Sequence, residues 1–211
     1  MTRGIFITVE GIDGAGKSTH AAWLVDTLKG RGHRVVATRE PGGTPLGEAL
    51  REILLHQPMA HESEALLMFA ARRQHIVDVI APALERGDTI VCDRFTDATY
   101  AYQGGGHGVS NDLIAALERM LLAQCHPDLT LLFDVPGAVS RERLDRLSAR
   151  GHSLDKFERE ASGFFDRVRN AYLARADADP RRFRVIDSSR PLAAVRADVE
   201  RVVDEIVGIA R

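Results

Sequence analysis

Cysteine is scarce in this chain: Cys92 and Cys125 are the only two among 211 residues. So few thiols exclude a disulfide-built scaffold and fit a cytoplasmic protein with reduced sulfurs better than a single structural bridge. No apolar run approaches the roughly 20 residues of a membrane span. Met1-Thr-Arg-Gly4 leads straight into the first apolar run, so the sequence predicts no signal peptide. An excess of one charge is missing too. The 28 basic and 30 acidic residues leave a net charge of -2, which gives no reason to expect nucleic acid or a membrane surface as a partner. The eight histidines form no H-x-H or H-E-x-x-H pattern, so no protein-ligated zinc is expected. Repeats, low-complexity tracts and linkers are absent. What remains is an ordinary globular composition, 45% hydrophobic and 27% charged, at a length that one large α/β domain over residues 1–211 would fill.

The most informative stretch is Gly11-Ile12-Asp13-Gly14-Ala15-Gly16-Lys17-Ser18, a full match to G-x-x-x-x-G-K-[ST]. An apolar run, Ile5 to Val9, precedes it and a helical pattern follows from Ser18. That context suits a phosphate-binding loop. Glycines let the backbone curl around an anion, and the helix N-terminus adds unsatisfied N–H groups and a positive dipole end. Lys17 supplies a cation for β- and γ-phosphates, Ser18 a hydroxyl for Mg²⁺, and Thr19 continues the first turn.

Beyond the loop, helical spacing marks residues 18–30, 44–56, 61–86, 111–123, 141–150, 157–176 and 192–209. Leu46, Leu50 and Ile53 form the apolar face of the 44–56 helix, and Leu66, Leu67, Ile76, Val77 and Ile80 that of the 61–86 helix, with Pro82 as a kink or junction. Short apolar runs at 35–38, 88–92, 129–135 and 183–186 read as strands covered on both faces. Residues 93–108, polar-aromatic and containing Gly104-Gly-Gly106, read as a long loop. Alternating strands and helices predict a five-stranded parallel sheet flanked by helices on both faces.

Phosphoryl transfer crowds negative charge, so it needs cations poised at strand ends. Arg39 follows the second strand and Arg94 the third, while Arg51 and Arg72 lie on intervening helices. Arg143, Arg146 and Arg150 fall on one helical stripe with no alternating acid, ahead of Gly151. Phe69 and Arg72, at i and i+3, share a helical face.

Six blocks carry a resemblance over nearly the whole chain: Glu10 to Ser18, Arg39-Glu40-Pro41-Gly-Gly-Thr44, Phe69 to Gln74, Cys92-Asp93-Arg94-Phe95, Thr99 to Gly106, and Pro127 to Val135. In that order they resemble thymidylate kinase, a phosphate-loop nucleoside monophosphate kinase, of the bacterial type with its catalytic arginine in the lid. The resemblance implies transfer of the γ-phosphate of ATP to dTMP with Mg²⁺, directly and in line. It also implies a homodimer and a mobile lid around 141–158. By resemblance, Arg39, Arg51 and Arg94 hold the acceptor phosphate, in a turn that includes Glu40 and Pro41. Arg72, Gln103 and Thr99 serve the base, and either Phe69 or Met68 is its stacking plate. Tyr102 crowds the sugar 2′ position, and Asp13 touches the 3′-hydroxyl or a metal-bound water. Asp93 orders Mg²⁺ through water or orients Arg94. Some relatives carry an arginine in the loop where this chain has Gly14, so the transition-state cation is expected from the lid, Arg150 first and Arg146 second. A kinase for another pyrimidine monophosphate, a deoxynucleoside kinase and a nucleotide-dependent switch are the competing readings.

Overall fold

The apolar runs become strands whose neighbours are all parallel, in the order β2-β3-β1-β4-β5. The structure, a computed structural model, describes residues 3–122, 125–151, 153 and 155–209. In chain order the elements are β1 (Phe6–Glu10), α1 (Lys17–Gly30), β2 (Val35–Arg39), α2 (Pro45–His56), α3 (His61–His75), α4 (Ala81–Glu85), β3 (Thr89–Asp93), α5 (Thr96–Thr99), α6 (Asn111–Leu121), β4 (Leu129–Asp134), α7 (Gly137–Ala149), α8 (Ser162–Ala178), β5 (Phe183–Asp187) and α9 (Leu192–Ile209).

Successive strand residues point to opposite faces, and the core divides accordingly. Ile7, Val9 and Val91 pack with Leu24 and Leu28 of α1, Phe165 and Val168 of α8 and Val199 of α9. Phe6, Ile90 and Cys92 pack on the other face with Phe69 of α3, Leu84 of α4 and Ile114 of α6. Helices thus cover both faces of the three central strands, β3, β1 and β4, which are buried nearly throughout, whereas the edge strands β2 and β5, expected to be covered as well, expose Ala37, Arg39, Val185 and Asp187. The register sets Val9 and Arg39 level with Asp93. The C-terminal ends of β1, β2 and β3 therefore open onto one edge of the sheet, where α/β folds hold ligands.

Three expectations are corrected. Residues 93–108 are not an open loop. After β3 the chain forms α5 and then a π-helical segment, Tyr100–Gly106. The glycines there are packing residues, not breakers. A Cβ on Gly105 would lie 2.5 Å from the Ala171 Cβ, and one on Gly106 would lie 2.4 Å from the Phe164 ring, so only glycine lets this segment press against α8. Secondly, the apolar faces expected of the 44–56 and 61–86 helices point partly outward: Leu46 and Ile53 on α2, Leu66 on α3, and Val77 in the stretch that follows α3 are exposed. The inward faces carry Gly47 and Leu54 on α2, and Glu64, Phe69, Arg72 and His75 on α3. Polar residues face in because α3 borders a polar cavity, so periodicity of apolar residues alone misorients it. Thirdly, the helix expected from Phe157 begins at Ser162, and that expected at Arg141 begins at Gly137. The 61–86 helix is interrupted by a π-helical stretch, Ile76–Ile80, immediately before Pro82 in the first turn of α4. Ala123, His152 and Leu154, within expected elements, lie outside the described residues.

Candidate active site

The phosphate-loop sequence folds as a curl fixed by its glycines. Gly11, Gly14 and Gly16 adopt positive φ of 138°, 74° and 88°, a region that disfavours other residues. At Gly14 a Cβ would also stand 2.7 Å from the Ser140 carbonyl oxygen, so the loop has no room for an arginine there without movement of α7. Five consecutive loop carbonyls are occupied by side chains, four of them from outside the loop. Those of Gly11, Ile12, Asp13, Gly14 and Ala15 accept from Arg94 Nη1 at 3.1 Å, Lys17 Nζ at 2.9 Å, Ser140 Oγ at 2.6 Å, Arg143 Nη1 at 3.1 Å and Ser188 Oγ at 2.6 Å. With its acceptors engaged, the loop presents little to repel an anion.

Lys17, the first residue of α1, is buried and lies 3.7 Å from Asp13 Oδ1. Burial, and then the nearby Arg94 charge, hold its ammonium below the ordinary lysine value. Arg94 is the one non-glycine residue among those described with positive φ, 69°. A side chain held there is strain of the kind that clusters at functional sites. Its guanidinium donates to Asp13 Oδ1, to the Tyr102 hydroxyl at 2.9 Å and to the Tyr172 hydroxyl at 3.1 Å, and stacks over the Tyr102 ring. Burial alone would raise the Asp13 carboxyl, but Arg94 and Lys17 outweigh it and keep it below the ordinary range. Tyr102 in turn donates to Asp13 Oδ2 at 2.7 Å.

Ser18 Oγ donates to Asp93 Oδ2 at 3.2 Å, while the buried Asp93 Oδ1 has no partner. A hydroxyl beside a carboxylate with an unsatisfied oxygen is an all-oxygen donor pair, which suits the hard cation Mg²⁺ directly or through water.

On the other side of Arg94 a cavity is lined by Arg39, Arg51, Arg72, Met68, Thr99 and Gln103, with Glu40, Pro41, Asp13 and Tyr102. Arg39 pairs with Glu48 at 2.8 Å, and Arg51 donates to the Pro41 carbonyl at 3.0 Å. Burial, and then Arg39, lower the Arg51 pKa. Arg72 is 2% exposed. Its Nε donates to Glu40 at 2.7 Å and its Nη2 to the Phe95 carbonyl and Thr99 Oγ1, but its buried Nη1 has no partner. His75 holds the other Glu40 oxygen at 2.9 Å and shares a 2.7 Å hydrogen bond with Thr38, so Arg72 is braced through a buried relay.

Phe69 does not line the cavity. It is fully buried in the core beneath Arg72, whose guanidinium carbon stands 4.9 Å from the ring centroid; Met68 is at the wall instead. One residue is about 100° of helix, enough to exchange cavity for core. Gln103 donates to Glu64 Oε1 at 2.8 Å, so its amide nitrogen is already engaged. The lid arginines separate. Arg143 is anchored to Gly14 and to the Ser188 carbonyl at 2.9 Å. Arg146 and Arg150 are exposed and away from the cavity. Arg146 pairs with Glu142 one turn earlier, so the stripe does carry an acid. Arg150 terminates α7.

Sequence reasoning missed five residues around this centre. Glu10 is fully buried at the end of β1, where it accepts from the Phe95 amide and the Tyr172 hydroxyl, each at 2.7 Å. A charged residue closing an apolar strand was the available signal. For Tyr172, His75, Ser140 and Ser188 no local pattern distinguishes them from ordinary helix or turn residues.

A thymidylate kinase family model matches residues 9–199. The thymidylate kinase of Bordetella pertussis is 58% identical over 208 residues, 99% of this chain and 98% of that one. That of Methylobacillus flagellatus is 58% identical over 203 residues, covering 96% and 98%. The crystal structure of thymidylate kinase from Ehrlichia chaffeensis superposes with a TM-score of 0.76 at 34% identity, covering 95% of this chain and 99% of that one. A five-stranded parallel sheet, a complete phosphate loop and family similarity across almost the whole length converge on one assignment: the chain belongs to the thymidylate kinase family.

Proposed function

We infer that the protein transfers the γ-phosphate of ATP to dTMP, giving ADP and dTDP. The observation that carries this reading is the unpartnered Nη1 of Arg72, a buried donor at a cavity that Arg39, Arg51 and Arg94 also line. A buried donor left unpaired costs stability. A base carbonyl would supply its missing acceptor, while three guanidiniums suit a phosphate with two ionisable oxygens. A 5′-hydroxyl acceptor would have no use for them, which disfavours a nucleoside kinase.

In this reading the loop residues Gly11 to Ser18 and Thr19 hold ATP, with Lys17 on the outer phosphates. Ser18 and Asp93 would hold Mg²⁺, which would supply neutralisation of charge on the phosphate oxygens. Arg94, between loop and cavity, is shared by donor and acceptor. An oxygen of the acceptor phosphate attacks the γ-phosphorus as its bond to the β-phosphate oxygen breaks. Positioning and charge suffice, and no covalent enzyme intermediate is required. Thr99 and Gln103 face the base with Met68 as its plate, and Tyr102 crowds the sugar. Residues 141–158 act as the lid of a single kinase domain and bring in Arg150 or Arg146, whose exposed positions leave them room to swing. Cysteine scarcity fits a cytoplasmic enzyme, and none of the described helices is long and apolar enough to cross a membrane.

Purified protein with Mg²⁺ and ATP should form ADP only when dTMP is present, and dTMP alone should raise the melting temperature. Faster turnover of another monophosphate, with no thermal shift by dTMP, would sink the reading.

A further inference from the structure

A second cluster lies beside the base end of the cavity, on residues to which phosphoryl transfer gives no part. His61 in the first turn of α3, Glu64 one turn on, and His107 just after the π-helical segment offer one ligand atom each, all within 4.8 Å of one another. The two imidazoles stack with centroids 4.0 Å apart and planes within 8°. His107 Nε2 stands 3.7 Å from Glu64 Oε1. Glu64 is 2% exposed, with Lys156 as its cationic partner.

We propose that His61, Glu64 and His107 form a zinc site with an open fourth position, coupled through Glu64 to Gln103 in the substrate cavity. Two imidazoles and one carboxylate are a common zinc ligand set. Tetrahedral coordination brings ligand atoms to about 3.4 Å of one another, given metal–ligand distances near 2.1 Å. In the parallel stack the two ring lone pairs point side by side, so coordination requires the exposed His61 ring, at a helix end, to swing out of the stack and turn onto the metal. The site is also braced as zinc sites are: Lys156 binds Glu64 Oε2 and leaves Oε1 facing the histidines. No sequence pattern shows this site, because α3 and the segment after β3 meet only in the fold.

Glu64 Oε1 is also the acceptor that orients the Gln103 amide. Zinc would withdraw it and release Gln103, weakening the acceptor substrate. That coupling rests on the reading of the cavity as the dTMP site; metal binding itself does not. Calorimetric titration of nucleotide-free protein with Zn²⁺ should show one equivalent bound. His61→Ala and His107→Gln should each weaken it by more than about tenfold. Equal binding in both variants, or none in the parent protein, overturns the site. In Mg²⁺-ATP assays, Zn²⁺ should raise the KM for dTMP severalfold in the parent. His61→Ala should keep the zinc-free rate and lose that response. Zinc bound at the histidines with KM unmoved would overturn the coupling while leaving the metal site standing.

Discussion

The Tyr102 hydroxyl donates to Asp13 and accepts from Arg94 while its ring lies under the Arg94 guanidinium. In the proposed reading one side chain would serve both the acceptor sugar and the shared cation. Removing only the hydroxyl separates the two duties. Tyr102→Phe should lower kcat/KM for dTMP by about tenfold, the effect of losing hydrogen bonds to charged groups. The ring would remain, and with it the preference for deoxyribose. Tyr102→Ala should lose both, read as the ratio of kcat/KM for dTMP to that for its ribonucleotide. An unchanged ratio in the alanine variant would remove Tyr102 from sugar discrimination. Lys17, Ser18, Asp93, Arg39 and Arg94 were legible in the sequence because strand-end position and motif spacing are local signals, whereas Arg51 and Arg72, on helices, rested on the family resemblance. Arg72's unpartnered nitrogen was not legible, since it depends on Glu40 and the Phe95–Thr99 stretch arriving from two other segments.

Glu10 couples β1 to α8 through Tyr172 and to the turn after β3 through Phe95. Burial, then repulsion from Asp97, push its pKa from 4.5 up to about 8. The folded chain thus keeps a proton that the unfolded chain has already released. Between those values the folded state binds more protons, so this group makes stability fall as pH rises, and its contribution is flat above about 8. Glu10→Gln should remove that slope. Urea midpoints measured from acidic to mildly alkaline pH should show the variant gaining on the parent as pH rises; a constant difference would refute the shifted ionisation. The strands and most helices were readable at this scale because short apolar runs alternate regularly with stretches of helical spacing. The Tyr100–Gly106 segment was not, because three glycines signal a loop locally and only the surface of α8 turns them into a packing face.

Across the whole molecule the misread faces of α2 and α3 acquire a use. Leu46, Ile53, Leu66 and Val77 are 48%, 42%, 50% and 47% exposed, on elements whose polar residues turn toward the cavity. Family resemblance implies a homodimer, and a second copy is the partner that would cover these residues. Leu66→Glu should shift sedimentation from dimer to monomer while the far-ultraviolet circular dichroism stays unchanged; a parent protein that sediments as a monomer would dispose of the proposal. Such a dimer would tie two active sites together through α3, which carries Arg72 and Glu64.

The stapling of the phosphate loop has a consequence for timing. Ser140 and Arg143 of α7 and Ser188 after β5 grip its carbonyls, so the conformational freedom of the curl is lost once, when the chain folds. A nucleotide then meets a finished cradle. The same grip fixes the first half of α7, so the proposed lid would have to pivot beyond Arg143 to close over a nucleotide. Its moving part would then be short, with anchor and arm at two ends of one helix.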